Sequence, residues 1–229
     1  ALKGSRADGH EFIPQLIQQG VRAFVVRESF AGEFEGVCLL RVHNVLEALQ
    51  TLAAAHRSRF QIPVIGITGS NGKTIVKEWL SILLQDKFKI CKNPKSYNSQ
   101  LGVALSVLEL DASHQLGLCE AGISRAGEMD ALLKMIQPTI GLMTNIGDAH
   151  QAGFSGMDEK TREKLKLFED VRTFVYCKDY QSIHFQRLGK PGNVSWSQKL
   201  EADYVIREKK KQKSGLSLSI LHGERSFRF

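Results

Sequence analysis

The sequence has few cysteines and no long apolar run, and each absence removes a class of protein. Cysteine occurs four times in 229 residues, at Cys38, Cys91, Cys119 and Cys177, without a Cys-x-x-Cys pair or a zinc-ligand spacing. We therefore expect free, buried thiols in a reducing cytoplasm, rather than disulfides or a zinc site. No apolar run approaches the roughly 20 residues of a membrane helix. The first residues also lack the pattern of a signal peptide.

The bulk composition is typical of a soluble globular protein with an excess of positive charge. Hydrophobic residues make up 42% of the chain and charged residues 24%, with 31 Lys and Arg against 24 Asp and Glu. The net charge of +7 suits an anionic ligand, but it does not separate a nucleotide from a nucleic acid. The one dense basic run, residues 209–213, has no interleaved aromatic residues. We expect it to be a solvated loop at a hairpin turn, and we expect no nucleic-acid partner.

The order of the predicted elements indicates an α/β protein with a small first domain and a larger second one. Residues 1–61 are predicted to form a small α/β unit in which two helices flank two strands. In residues 62–229, strands alternate with helices, which predicts a mostly parallel sheet with flanking helices. The expected strands of this sheet are 63–67, 88–91, 116–119, 139–143 and 173–177, followed by a hairpin of 204–207 and 216–221. The expected helices are 101–108, 127–136, 160–168 and one that follows residue 74.

A glycine-rich turn between the first strand and the first helix of the second domain carries the main functional signal. The motif is Gly69-x-x-Gly72-Lys73-Thr74. Glycines let the backbone approach an anion, and amides at a helix N-terminus point at it. Lys73 supplies a charge for the β- and γ-phosphates, and the Thr74 hydroxyl can ligate Mg²⁺. A strict P-loop would have glycine at Ile67, so an ordinary strand-to-helix turn remains the alternative.

Polar residues follow four of the predicted strands. They are the turn itself, Asn98, Glu120 and the segment 145–150. Because ligands of open parallel sheets bind beyond the carboxyl ends of the strands, this convergence predicts an active site. Glu120 can reach a nucleotide-bound Mg²⁺, although a solvated strand-end glutamate fits the pattern equally well. His150 can be a neutral ligand to a second metal ion, against the alternative of a structural or exposed histidine.

These motifs together resemble the Mur ligase family, the ATP-dependent amide ligases of peptidoglycan precursor synthesis. The likeness lies in the segments 66–74, 97–103, 120–122 and 144–150. The first domain, with residues 1–4, 8–10 and the helix at 45–50, is similar to one branch of the family. That branch joins D-alanyl-D-alanine to UDP-N-acetylmuramoyl-tripeptide. The segment 72–79 also resembles the form in which this ligase is fused to an alanine racemase.

The resemblance implies the cofactors, the partners and a set of site residues. ATP and Mg²⁺ are the expected cofactors, the two peptide precursors are the expected substrates, and we expect a cytoplasmic monomer. The implied catalytic residues are Lys73, His150 and Lys164, of which Lys164 falls on the lysine that the family carbamylates. The implied nucleotide-binding residues are Thr68, Gly69, Ser70, Asn71, Gly72, Lys73, Thr74 and Asn145. The implied metal ligands are Thr74, Glu120, His150 and carbamylated Lys164, and the implied substrate-binding residues are Lys3, Arg6, Asp8, His10, Asn98 and Ser99.

Two departures from the family pattern and three alternatives remain. Ile75 stands where the family usually has a second hydroxyl, with little expected effect because Thr74 keeps the metal oxygen. We also expect both ends of the chain to be cut, so that the family's third, dinucleotide-fold domain is missing and the fragment binds nucleotide without turnover. The alternatives are a sibling Mur ligase or folylpolyglutamate synthetase-like enzyme, a P-loop kinase or GTPase, and a non-catalytic nucleotide-binding module. The lack of an Asn-Lys-x-Asp motif disfavours a GTPase.

Overall fold

The fold was analysed in a computed structural model that describes residues 1–4, 7–147, 153–212 and 215–228. Two compact units follow each other along the chain, Ala1–Ala53 and Ala54–Phe229. Both contain helices and parallel strands, so the predicted α/β class is confirmed. The domain boundary at residues 61 and 62 stays a prediction. No helix in the described part of the chain has the length and apolar character needed to cross a membrane.

The first unit contains two short helical segments and a two-stranded parallel sheet. A 3₁₀ turn, Gly9–Phe12, leads into α1, Ile13–Gln18. The sequence pattern predicts a helix over residues 11–19, but the α-helix begins at Ile13, because Pro14 fits its first turn, where the missing N–H costs nothing. Strands β1, Ala23–Arg27, and β2, Cys38–Val42, pair in parallel. Cys38 is exposed on β2, which corrects the expectation that all four cysteines are buried.

Helix α2, Val45–Arg57, follows the first sheet. Asn44 caps it, because its side-chain oxygen accepts hydrogen bonds from the amides of Leu46 and Glu47 at 3.0 and 3.3 Å. The sequence pattern predicts this helix from residue 45 to about residue 57, and the structure confirms it.

The second unit is built on a nine-stranded sheet of the described residues. Seven strands run parallel in the order β9-β8-β7-β6-β3-β5-β4, and β10 and β11 extend the β9 edge in antiparallel fashion. The strands are β3 Val64–Thr68, β4 Ile90–Lys92, β5 Leu116–Glu120, β6 Ile140–Met143, β7 Thr173–Cys177, β8 Asn193–Ser197, β9 Tyr204–Gln212, β10 Gly215–His222 and β11 Arg225–Arg228. β3 lies between β5 and β6, so the crevice beyond its carboxyl end is the expected place for a ligand.

Helices cover both faces of this sheet. They are α3 Lys73–Leu84, α4 Gln100–Leu108, α5 Glu128–Ile136, α6 Met157–Leu165 with a 3₁₀ turn at Lys166–Phe168, and α7 Gln181–Arg187. The connection from β3 to β4 runs across the sheet in one direction, and the later connections run in the other. Because such crossovers are right-handed, α3 lies on one face and α4 to α7 on the opposite face.

The structure corrects three sequence expectations for the second unit. Helix α6 begins at Met157 rather than at Lys160, because Glu159 accepts hydrogen bonds from the amide and hydroxyl of Ser155 and so caps an earlier start. Residues 209–212 belong to strand β9, whose backbone pairs with β10, instead of forming a solvated loop. Helix α7 and strands β8 and β11 had no predicted counterpart.

Buried Arg57 ties the approach to β3 to the end of α5. Its guanidinium donates to the carbonyls of Ile136 at 3.0 Å, Gln137 at 3.1 Å and Phe60 at 2.5 Å. One side chain thus satisfies carbonyl groups from two segments that meet at the amino ends of the strands.

We predict that Arg57→Met lowers the free energy of unfolding by about 3 kcal/mol, since it leaves several buried carbonyls without a donor. Denaturant titration of the chain measures the change. Exposed Arg59 is the matched control, and Arg59→Met is expected to change stability by less than about 0.5 kcal/mol. Equal stabilities of the Arg57 variant and the wild type would contradict the role given to the guanidinium.

Candidate functional site

The glycine-rich turn closes tightly between β3 and α3. Gly69 has φ +146°, and a Cβ there would lie 2.0 Å from Thr144 Oγ1 and 2.9 Å from the Asn145 carbonyl. Gly72 precedes α3 with φ +78°, a left-handed conformation that glycine adopts without strain. Both glycines are therefore required by the backbone, and the turn delivers Lys73 and Thr74 at the start of the helix.

The end of β6 holds the turn in place. The amide of Ser70 donates to the Asn145 carbonyl at 3.0 Å, and the amide of Asn71 donates to Asn145 Oδ1 at 2.9 Å. Asn145 Nδ2 and Thr144 Oγ1 both donate back to the Asn71 carbonyl, at 3.1 and 2.7 Å. The Asn145 side chain is thus engaged with the turn itself, and its predicted contact with a nucleotide stays a prediction. Thr68 is likewise used internally, because its buried hydroxyl donates to the Ala121 carbonyl at 2.8 Å.

Lys73 folds back over the turn. Its Nζ donates to the carbonyls of Gly69 at 3.0 Å and Ser70 at 3.2 Å. Burial lowers the pKa of Lys73, the nearby Glu120 carboxylate raises it, and Lys160 lowers it. The ammonium group therefore lies at the mouth of the turn, close to both a carboxylate and a second cation.

Three strand ends meet at Glu120, the last residue of β5. Its side chain is 1% exposed. Thr74 Oγ1 donates to Oε2 at 2.9 Å, and Asn98 Nδ2 donates to Oε1 at 2.6 Å. The structure therefore brings together Thr74, Asn98 and Glu120, which the sequence placed at separate strand ends. Their oxygens are donors of the kind that Mg²⁺ prefers.

Helix α6 brings two further buried lysines to this region. Lys164 is 2% exposed, and its pKa is lowered to about 7, first by burial and then by the charges of Lys73 and Lys160. Lys160 is fully buried and donates to the Gly147 carbonyl. Glu163 anchors the helix, because it accepts from the amides of Gly127 and Met129 at 2.8 and 3.2 Å. The local sequence does not distinguish Lys164 from Lys160, and the structure buries both side chains.

Several residues predicted to form the site either lie outside the described residues or have a structural role within the fold. His150 and Arg6 lie outside the described residues, and the described residues contain no cluster of three His, Cys, Asp or Glu side chains that could hold a metal. Ser99 caps α4, since its hydroxyl accepts from the Gly102 amide at 3.2 Å. Lys3 is exposed and forms an isolated β-bridge with Asp8.

In the first unit, Asp8 and His10 form an internal pair. His10 is 7% exposed, and its Nδ1 lies 2.5 Å from Asp8 Oδ1. His10 Nε2 accepts from the Arg27 amide at 3.4 Å, so both ring nitrogens have partners in the protein. Hydrogen bonds from His10 lower the pKa of the Asp8 carboxyl. This pair stabilises the start of the chain, and direct contact of either residue with a ligand stays a prediction.

Sequence reasoning missed two residues that shape the site. Asn93 is fully buried, and its Oδ1 accepts from the Glu120 amide at 2.7 Å. Lys77 is fully buried on α3, while Trp79 and Leu83 on the same helix are 65% and 74% exposed. The apolar residues that predict this helix include Trp79 and Leu83, so they do not mark its buried face. A lysine four residues after Lys73, on the same side of the helix, was the available signal.

Comparison with known proteins identifies relatives of both units. Residues 67–227 match the Mur ligase middle domain, and residues 1–57 match the catalytic domain of the Mur ligase family. A UDP-N-acetylmuramoyl-tripeptide--D-alanyl-D-alanine ligase from Synechocystis sp. is 40% identical over 150 residues, 66% of this chain and 33% of the relative. A ligase of the same name from Borreliella burgdorferi is 34% identical, over 84% of this chain and 44% of the relative. The crystal structure of MurF from Acinetobacter baumannii superposes with a TM-score of 0.88 at 27% identity, covering all of this chain and 51% of that one. The chain thus spans about a third to a half of the length of these relatives.

The lowered pKa of Lys164 predicts a pH-dependent stability difference. Between its folded pKa of about 7 and the unfolded value of about 10.4, the unfolded chain binds one more proton, so stability rises with pH. We expect the free energy of unfolding of the wild type, minus that of Lys164→Met, to rise by about 1–3 kcal/mol from pH 7 to pH 9.

Denaturant titrations in CO₂-free buffer measure this difference. Lys134→Met, which removes an exposed lysine of α5, is the matched control and should show a flat difference over the same range. A flat difference for Lys164→Met as well would contradict the lowered pKa.

Proposed function

The chain belongs to the Mur ligase family, and from that premise we propose that it is the nucleotide-binding part of an ATP-dependent ligase. The proposed reaction joins D-alanyl-D-alanine to UDP-N-acetylmuramoyl-tripeptide. The meeting of Thr74, Asn98 and Glu120 beside Lys73 carries this proposal, because it assembles a phosphate cradle and a carboxylate at one edge of the sheet. The names of the curated relatives support the choice of substrates.

The proposed nucleotide site is the turn from Gly69 to Thr74. Amides at the start of α3 face the phosphates, and Lys73 exchanges its two carbonyl contacts for the β- and γ-phosphate oxygens. Because the ammonium is already buried at the mouth of the turn, it needs no large movement to reach the phosphates. Its charge stabilises the extra negative charge that develops during phosphoryl transfer.

The residues present fit a magnesium ion. Thr74 Oγ1 and Glu120 Oε2 lie 2.9 Å apart, and both are hard oxygen donors at the edge of the phosphate cradle. Bound there, magnesium neutralises phosphate charge and orients the γ-phosphoryl group. His150 and Lys164 are the proposed ligands of a second ion. The lowered pKa of Lys164 supports its carbamylation, since only a neutral amine reacts with CO₂.

In the proposed reaction, the C-terminal carboxylate of the UDP-linked peptide attacks the γ-phosphorus of ATP, and the bond to the bridging oxygen of ADP breaks. The amine of D-alanyl-D-alanine then attacks the acyl phosphate, loses a proton and expels inorganic phosphate. Within this chain, Lys73 holds the transferred phosphoryl group and Asn98 keeps Glu120 oriented. We propose that the uridine nucleotide binds to Lys3, Arg6, Asp8 and His10. We also propose that the protein is a cytoplasmic monomer.

The decisive test is a coupled assay of ADP release by the complete gene product that contains this sequence. We expect ADP release with UDP-N-acetylmuramoyl-tripeptide only when D-alanyl-D-alanine is also present. Free glutamate as the preferred incoming amine would overturn the proposal in favour of another ligase of the superfamily.

For the same gene product, we predict that Lys73→Ala costs at least about 3 kcal/mol of transition-state stabilisation in kcat/KM, as loss of a preorganised phosphate clamp should. Exposed Lys87, just beyond α3, is the matched control, and Lys87→Ala should retain wild-type kinetics. Near-native turnover by the Lys73 variant would remove this lysine from the site.

A further inference from the structure

Lys77 is a buried cation to which the proposed reaction gives no role. It lies one helical turn after Lys73 on α3, and its side chain is 0% exposed. Burying an ammonium group is costly unless it is hydrogen-bonded and paired, so its surroundings must compensate the charge. The groups that compensate the ammonium charge include the Asn93 carbonyl and the Glu120 carboxylate, both of which belong to the candidate site.

The ammonium group of Lys77 fastens the loop that follows β4. Nζ donates to the Asn93 carbonyl at 2.7 Å and to the Lys95 carbonyl. Lys95 has φ +50°, a left-handed conformation that is unfavourable for a residue with a Cβ. The hydrogen bond from Lys77 to its carbonyl offsets this strain. Lys77 thus helps to hold the loop at residues 93–98 in a bent conformation, together with the Asn93 side chain.

The same loop carries the groups that orient Glu120. Asn93 accepts from the Glu120 amide at 2.7 Å and donates to the Tyr97 carbonyl at 2.8 Å, directly before Asn98. Asn98 then donates to Glu120 Oε1 at 2.6 Å. The backbone and the carboxylate of Glu120 are therefore both bonded to a loop whose shape depends on Lys77.

Lys77 also acts on the carboxylate directly. Its Nζ lies 3.7 Å from Glu120 Oε2, the oxygen that accepts from Thr74, and 3.4 Å from Glu78 Oε1. The carboxylate of Glu120 is thus drawn towards Thr74 and Lys77 on one side and towards Asn98 on the other. This arrangement fixes the direction of its lone pairs.

We propose that Lys77 is a positioning residue that locks the 93–98 loop and Glu120 into the geometry that binds magnesium-bound nucleotide. That the ligand is a magnesium-bound nucleotide rests on the proposed function. That Lys77 holds the 93–98 loop and Glu120 in place rests on the contacts of its side chain. A lysine that only stabilised the fold would change the melting temperature without changing the response of nucleotide binding to magnesium.

The test compares the affinity for a fluorescent ADP analogue with and without Mg²⁺ in the complete gene product. In the wild type, magnesium should tighten binding. In Lys77→Met this gain should fall by about tenfold, equivalent to one lost charge-assisted hydrogen bond, while metal-free affinity stays within about threefold. Lys77→Arg should recover part of the gain, because it keeps a charged donor. Hydrogen exchange of the 93–98 amides should be faster in Lys77→Met.

Lys92→Met is the matched control, since Lys92 pairs with Glu78 at the surface and makes no contact with Glu120 among the described interactions. Its magnesium response should equal that of the wild type. If Lys77→Met does not fold, Lys77→Gln, a neutral variant that keeps a donor, decides the question with the same measurements. A folded neutral variant with the full magnesium gain overturns the role of Lys77 alone. A wild-type protein without magnesium-dependent nucleotide binding overturns the proposed function, and this inference falls with it.

Discussion

The buried carboxylate of Glu120 is the interaction on which the candidate site depends. A carboxylate that is 1% exposed must be compensated by donors, and these come from two segments. Helix α3 supplies Thr74 and, at longer range, Lys77, and the loop after β4 supplies Asn98. The requirement to satisfy one charge therefore joins the ends of β3, β4 and β5. The contacts that compensate the buried carboxylate also fix the position of the oxygens to which we propose that magnesium binds.

Positive charge is concentrated around the same edge of the sheet. Burial lowers the pKa of Lys73 and Lys164; the charge of Lys160 lowers both further, and the charge of Lys73 also lowers that of Lys164. Such a cluster costs stability in the folded chain, and an anion placed among the three would recover part of that cost. This concentration of positive charge supports the proposed phosphate ligand independently of the family likeness. A pKa of about 7 also leaves part of the Lys164 amine neutral near pH 7, as the proposed carbamylation requires.

The sequence predicted the parts of this site whose signals are local. The glycine turn was recognisable because Gly69 and Gly72 are required by backbone geometry. Glu120 and Asn98 were recognisable because they follow strands. Lys77 and Asn93 were missed because their importance comes from contacts 16 to 43 positions apart along the chain. Helix α7 was missed because its seven residues carry too few turns to show a period, and it is held by packing against β7 and α6.

Several polar groups of the turn already have hydrogen-bond partners within the chain, and this bears on the affinity of the proposed nucleotide site. Lys73 donates to two carbonyls of the turn, and the Asn145 side chain accepts a hydrogen bond from the Asn71 amide. A nucleotide must therefore exchange existing hydrogen bonds for new ones, so its net affinity is smaller than the number of new contacts suggests. The turn also loses little conformational entropy when a ligand binds, because Gly69 and Asn145 already fix its shape. Preorganisation of the turn therefore offsets part of the affinity that the exchange of hydrogen bonds costs.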